Sequence, residues 1–167
     1  MIDVGSAVPS LHLRATSGAA IDLAGLAGTV VVYVYPRTRA PDQPAIPGWD
    51  QIPGARGCTP QSCAFRDHHG ALRASGAAYV FGLSAQSTEE QAEAAQRLHL
   101  PFPLLSDAGL HLARAMDLPT FRAGGLTLLK RLTMILRDGR VLRVMFPVDA
   151  PARNAQEVLE LLQGLQG

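Results

Sequence analysis

Residues 53 to 76 read PGARGCTPQSCAFRDHHGALRASG, and they hold the only two cysteines of the 167-residue chain, Cys58 and Cys63. The segment carries helix signals from Thr59 onward. Thr59 is a candidate N-cap, Pro60 suits the first helical position, Phe65 and Leu72 supply an apolar face, and Gly76 is a terminator. The flanks decide the fold class. Upstream, TVVVYVYP (29–36) is a continuous run of β-branched and aromatic residues, the pattern of a strand buried on both faces. Downstream, AAYVFGLSA (77–85) is a second such run. Buried strand, helix, buried strand in that order makes a right-handed parallel unit.

The rest of the chain extends this unit. LHLRATSGAAIDL reads as a hairpin turning near Ser17-Gly18, STEEQAEAAQRLHL as a capped helix with an acidic first turn, PFPLLSD as a short strand or extended turn and AGLHLARAMDL as a short helix. LTMILRDGRVLRVMFPV reads as two strands joined at Asp138-Gly139, and NAQEVLELLQGL as an amphipathic final helix. LPTF (118–121) is followed by Arg-Ala-Gly-Gly and reads as a loop. These elements predict an α/β, thioredoxin-like fold: a mixed central sheet with helices on both faces and an N-terminal β-hairpin, in one domain spanning 1–167. Residues 37–53, RTRAPDQPAIPGWDQIP, hold four prolines and the only tryptophan. They predict a long ordered loop, because its prolines lower the entropy lost on ordering. Trp49 and Ile46 are its large apolar groups, and Trp49 is expected to pack at the mouth of a site and narrow it.

Composition excludes several classes. A net charge of +1 gives no electrostatic reason for nucleic acid or an anionic membrane as partner. The first residues lack a basic stretch followed by an apolar run, and no apolar stretch reaches the ~18 residues of a membrane span. The expected location is the cytoplasm, where thiols are kept reduced. A short cysteine spacing in that setting points to redox catalysis or to a metal rather than to a permanent disulfide.

Cys58 falls where a loop after a central strand enters a helix, the end of an open α/β sheet at which sites form. Unsatisfied N–H groups at a helix start favour the thiolate, which is the reactive species. Arg56 lies two residues away. These features describe an activated nucleophile. Cys63 lies five residues on, about 500° and about 7.5 Å along a regular helix, so a bridge needs the first turns to unwind. Other readings remain open at this level. The cysteines can be inert packing residues, ligands of a metal with His68 or His69, or parts of a disulfide exchanger. The spacing C-x4-C-x4-H matches no standard zinc pattern, and exchangers use C-x-x-C.

The string VVVYVYP…PGARGCTPQSCAFRD resembles the active-site segment of peroxiredoxins of the Q type, also called bacterioferritin comigratory proteins. The matching residues are Tyr35, Pro36, Gly57, Cys58, Thr59, Cys63, Phe65, Arg66 and Asp67. KRLTMILRDGRVLRVMFPV and NAQEVLELL resemble the family's late hairpin and last helix, so the resemblance covers nearly the whole chain. It implies a thiol-dependent peroxidase acting on hydrogen peroxide or alkyl hydroperoxides. In that family pattern Cys58 is the peroxidatic cysteine, Cys63 the resolving one, and Arg131 the arginine that stabilises thiolate and peroxide. Gly57, Arg56 and Pro36 are the expected substrate-binding positions. The resemblance implies no metal or other cofactor, thioredoxin or a similar dithiol as reductant, and a monomer or weak homodimer.

The chain departs from the pattern in three places. The proline-rich segment separates Pro36 from Cys58. Ala55 stands where a threonine is expected, and Gln61 where a glutamate is. Two alternatives stand beside the peroxidase: a protein thiol–disulfide oxidoreductase, and a non-catalytic redox sensor or binding module using the 37–53 loop. Oxidoreductases of this fold carry a cis-proline before the strand facing the cysteines, whereas Lys130 precedes RLTMIL.

Overall fold

The computed structural model describes residues 2–166. A seven-stranded sheet is its frame, with strands β1 (His12–Ala15), β2 (Ala20–Asp22), β3 (Thr29–Val34), β4 (Ala77–Ser84), β5 (Leu104–Ser106), β8 (Leu132–Arg137) and β9 (Arg140–Met145) in the order β2-β1-β5-β4-β3-β8-β9. The helices are α1 (Cys58–Ala74), α2 (Thr88–Arg97), α3 (His111–Met116) and α4 (Asn154–Gln166). β3 pairs parallel with β4 and antiparallel with β8, which makes the sheet mixed. Every residue of β3 is buried, as its unbroken apolar run predicts.

Alternation along β3 divides the core into two layers. Val30, Val32 and Val34 face Leu13, Leu112 and Met116, on the side of α3. Val31 and Tyr33 face Phe65 and Leu72 of α1, Ala94 of α2, and Val158 and Leu162 of α4. Helices therefore cover both faces. The elements end where their sequence signals stand. Ser87 and Glu90 close a reciprocal capping box on α2, and Gly76 follows α1 with a positive φ of 110°.

Two expectations are corrected. α1 starts at Cys58, and its N-cap is Gly57 with φ 109°, so Thr59 lies in the first turn and is not the cap. The left-handed glycine turns the loop sharply into the helix, a task no hydroxyl performs. The stretch after Leu118 is not a loop. It forms a separate two-stranded hairpin of β6 (Thr120–Ala123) and β7 (Leu126–Leu129), turning at Gly124-Gly125. Its strands are four residues each, too short for alternation to declare them, and it gains its support from the proline-rich loop.

That loop is pinned at both ends and in the middle. Gln86 accepts from the Thr38 backbone N–H at 3.0 Å and donates back to the Thr38 carbonyl at 2.8 Å. Trp49–Gln51 form a 3-10 turn. The Trp49 ring lies 6.1 Å from that of Phe121 on β6, and a Cβ on Gly124 would sit 3.1 Å from Ile46. Loop and hairpin thus brace each other.

Candidate active site

Cys58 is the first residue of α1, 5% exposed, at the floor of a cleft of about 520 Å³. Its start of the helix is fixed by a close approach. A Cβ on Gly57 would fall 2.8 Å from Pro151 Cγ, in the turn that leads into α4. Arg131, the residue before β8, is 3% exposed and reaches across to α1. Its Nη2 donates to Cys58 Sγ at 3.2 Å and to the carbonyls of Ala55 at 2.9 Å and Arg56 at 3.2 Å. The same carbonyls fix the loop, so one guanidinium sets both the sulfur's electrostatics and the path of its approach.

Behind Arg131 runs a chain of buried neutral groups. Arg131 Nη1 donates to Gln61 Oε1, Gln61 Nε2 donates to Asn154 Oδ1 at 3.0 Å, and Thr133 Oγ1 donates to the same Asn154 oxygen at 2.6 Å. Gln61 and Thr133 are fully buried, and Asn154 is nearly so. Sequence reasoning named Gln61 only as a departure and missed Thr133 and Asn154. Thr133 faces α1 by strand parity, but nothing in NAQEV marks its asparagine as more than a helix start.

The other expected positions separate. Arg56 is exposed, lines the cleft, and gives its carbonyl to Arg131. Gly57 lines the cleft as well. Pro36 is buried two residues past the end of β3, and the cleft lining on that side begins at Arg37. Ile46, Trp49 and Asp50 of the proline-rich loop form the opposite wall. Ala55, in the place of a hydroxyl, is buried and supplies only its backbone.

Cys63 is half-buried in the second turn of an unbroken α1, and both cysteines are free thiols. The helix around it is held from β3. Tyr33 Oη donates to Ser62 Oγ at 3.1 Å, and the Tyr33 ring stacks on Phe65 at 4.5 Å with planes 6° apart. Burial pushes the phenols of Tyr33 and Tyr35 well above their ordinary range, so both stay protonated. His68 bonds the Ala64 carbonyl at 2.9 Å and Gln156 of α4 at 3.1 Å, which makes it a link between helices.

The chain as a whole is similar to known proteins. Residues 3–159 match the family model described as Redoxin. The chain belongs to the redoxin family. Chloroplastic peroxiredoxin Q of Sedum lineare is 33% identical over 164 residues, covering 97% of this chain and 78% of that protein. The crystal structure of peroxidoxin BcpB from Mycobacterium tuberculosis superposes with a TM-score of 0.80 at 24% identity over the whole of both chains. A Xanthomonas campestris bacterioferritin comigratory protein, described for its alkyl peroxide reduction activity, superposes with a TM-score of 0.78 at 24% identity, over 100% of this chain and 99% of the other. Within the family this chain is a Q-type peroxiredoxin, a thiol-dependent peroxidase with the thioredoxin-like fold.

Proposed function

We propose that Cys58 is the peroxidatic thiol, that Cys63 resolves it, and that a thioredoxin-like dithiol completes the cycle. The contact of Arg131 Nη2 with Cys58 Sγ at 3.2 Å, at the floor of an open cleft, carries this reading. The guanidinium stabilises sulfur as a thiolate. The thiolate attacks the distal oxygen of a hydroperoxide, ROOH. The O–O bond breaks, sulfur is oxidised to the sulfenic acid, and RO⁻ takes a proton to leave as alcohol, or as water when the substrate is hydrogen peroxide. Arg131 and the free N–H groups of the first helical turn stabilise the charge moving onto the leaving oxygen.

The Cys63 thiolate then attacks the Cys58 sulfur, forming the disulfide and releasing hydroxide, which is protonated to water. Both thiols sit in one regular helix, so this step requires the start of α1 to unwind. Exchange with an external dithiol returns both thiols. The open cleft supports hydrogen peroxide and alkyl hydroperoxides alike as substrates, in a compartment that keeps thiols reduced. The test is steady-state consumption of hydrogen peroxide and of an alkyl hydroperoxide with a thioredoxin system, in the parent chain and in Cys58→Ser. Turnover in the parent and none in the variant is expected. A Cys58→Ser protein that still consumes peroxide at the parent rate sinks the assignment.

A further inference from the structure

The cleft that holds Cys58 carries more positive charge than its sulfur uses. Arg131 serves the sulfur, and three further arginines, Arg37, Arg39 and Arg56, line the cleft itself. One carboxylate, Asp50, lines it with them and is exposed to water. Among the described residues the ion pairs join Arg66 to Asp67 and Arg97 to Glu93, so none of the three is neutralised by contact. Arg37 and Arg39 also border a second cavity with Glu89, Glu90 and Glu93 of α2, but Glu90 is held by Ser87 and Glu93 by Arg97. On a chain with a net charge of only +1, these guanidinium groups are a local concentration of charge. They are also held in place. Thr38, between Arg37 and Arg39, is buried and pinned to Gln86. Arg39 Nη1 donates to the Gln43 carbonyl, which fixes that side chain against the loop. Arg56 precedes Gly57, the left-handed cap of α1, and its carbonyl is bound by Arg131. Cations fixed before a ligand arrives lose little entropy on binding it. The same lining includes an apolar stretch, Ile46, Pro47 and Trp49.

We propose that this cleft selects, among organic hydroperoxides, those that carry a carboxylate: Arg37, Arg39 and Arg56 take the carboxylate, and the apolar stretch bounds the hydrocarbon body. A guanidinium presents parallel N–H donors that match the two oxygens of a carboxylate. A neutral alkyl hydroperoxide offers these groups no such partner. The cleft volume of about 520 Å³ admits a compact body beside the reacting O–O group. The positive field of the cleft also draws an anion inward and raises its rate of encounter. A thiolate alone repels an anionic substrate, and the three arginines offset that repulsion. The chemistry at sulfur is unchanged. The Cys58 thiolate takes the distal oxygen and becomes the sulfenic acid, the O–O bond breaks, and the alkoxide is protonated to leave as a hydroxy acid with its carboxylate intact. Arg37 and Arg39 stand at the start of the proline-rich segment, so the selection is a property of that segment and not of the Cys58–Arg131 pair.

This rests on the peroxidase reading, and its test includes a binding arm that needs no turnover. In the kinetic arm the reduced full chain is mixed with cumene hydroperoxide or with its para-carboxylate, a pair alike in shape and different in charge. Oxidation of Cys58 is followed by acid quench and mass spectrometry. The carboxylate is expected to react about tenfold faster at low salt, with the advantage shrinking as salt screens the arginines. Arg37→Gln, Arg39→Gln and Arg56→Gln together should bring the ratio of the two rates to about one, and each alone should lower it about twofold. In the binding arm calorimetry compares cumyl alcohol with its para-carboxylate on the reduced chain. The carboxylate should bind about tenfold more tightly, and the triple variant should lose that preference. Equal rates for the two hydroperoxides overturn the proposal, as does a preference that the triple variant retains. Should the triple variant fail to fold, the single variants decide, and the proposal falls when none of them lowers the ratio. A chain that binds the carboxylate selectively while neither hydroperoxide oxidises Cys58 keeps the anion site and sinks the peroxidase reading.

Discussion

The ring of Trp49 lies 6.1 Å from that of Phe121, tilted by 42°, and joins the proline-rich loop to the β6–β7 hairpin. Trp49 lines the same cleft as Cys58. Truncating it removes one wall without touching the sulfur or Arg131. Trp49→Ala should cost about 1 kcal/mol of stability, the scale of an aromatic pair. It should raise kcat/KM for a bulky alkyl hydroperoxide relative to hydrogen peroxide. Side-by-side kinetics with the two substrates check it. An unchanged ratio would mean that the loop does not gate access.

Arg131 makes two kinds of contact, one to the reacting sulfur and several to the loop that carries it. Arg131→Lys keeps the charge but loses the fork that serves both. It should slow the reaction of Cys58 with hydrogen peroxide by about 10²-fold, the usual cost of losing a donor aimed at developing charge. Rapid-mixing kinetics at a fixed pH measure the rate, and far-UV circular dichroism verifies the fold. A rate within twofold of the parent would show that the guanidinium geometry is incidental.

The sequence made the central unit legible because burial forces an unbroken apolar run on β3 and capping marks the helices that flank it. Cys58 was legible from its place at a loop-to-helix junction, and Arg131 only through a family pattern, since one arginine before a strand carries no local signal. Gly57 was not read as the cap because polar caps leave a side-chain signature and a left-handed glycine leaves none. The β6–β7 hairpin escaped for a related reason. Its strands are short, and what stabilises them is contact with Trp49 and Ile46 from some 70 residues upstream. Long-range packing of that kind is invisible to periodicity. Asn154 and Thr133 became meaningful only once three elements converged on Gln61.

Tyr33 locks α1 in two ways, through its hydroxyl on Ser62 and its ring on Phe65. Tyr33→Phe keeps the stack and deletes the hydrogen bond, at a cost of about 1 kcal/mol. Disulfide formation should become faster, because the same bond must break when the helix unwinds. The variant should also change the alkaline limb of the stability curve. Burial raises the folded phenol, while an unfolded tyrosine titrates near ~10. Above that pH the folded state holds more protons than the unfolded one, so stability falls as pH rises, by about 1.4 kcal/mol per unit for each such tyrosine. Tyr33→Phe removes that contribution and leaves the one from Tyr35. Urea melts at pH 8 and at pH 11 measure it. An unchanged alkaline slope would contradict the burial of the Tyr33 hydroxyl in solution.

Cys63 sits half-buried in the same helix as Cys58, one residue after the Ser62 that Tyr33 holds. The regular helix keeps the two sulfurs on different faces, so the reduced enzyme cannot form the disulfide without breaking helical hydrogen bonds. Cys63→Ser should therefore react with the first equivalent of peroxide at the parent rate, since nothing at Cys58, Arg131 or Gln61 changes. It should then stall. The sulfenic acid has no partner and goes on to sulfinic acid with further peroxide. Amide hydrogen exchange gives the complementary view. In the parent, oxidation to the disulfide should remove protection from residues 57–65, while residues 66–74 stay protected by Leu72 and the α4 contact of His68. In Cys63→Ser that loss of protection should be transient or absent. Full thioredoxin-dependent turnover by Cys63→Ser would show that an external thiol resolves Cys58 directly, and the chain would then work as a one-cysteine peroxidase.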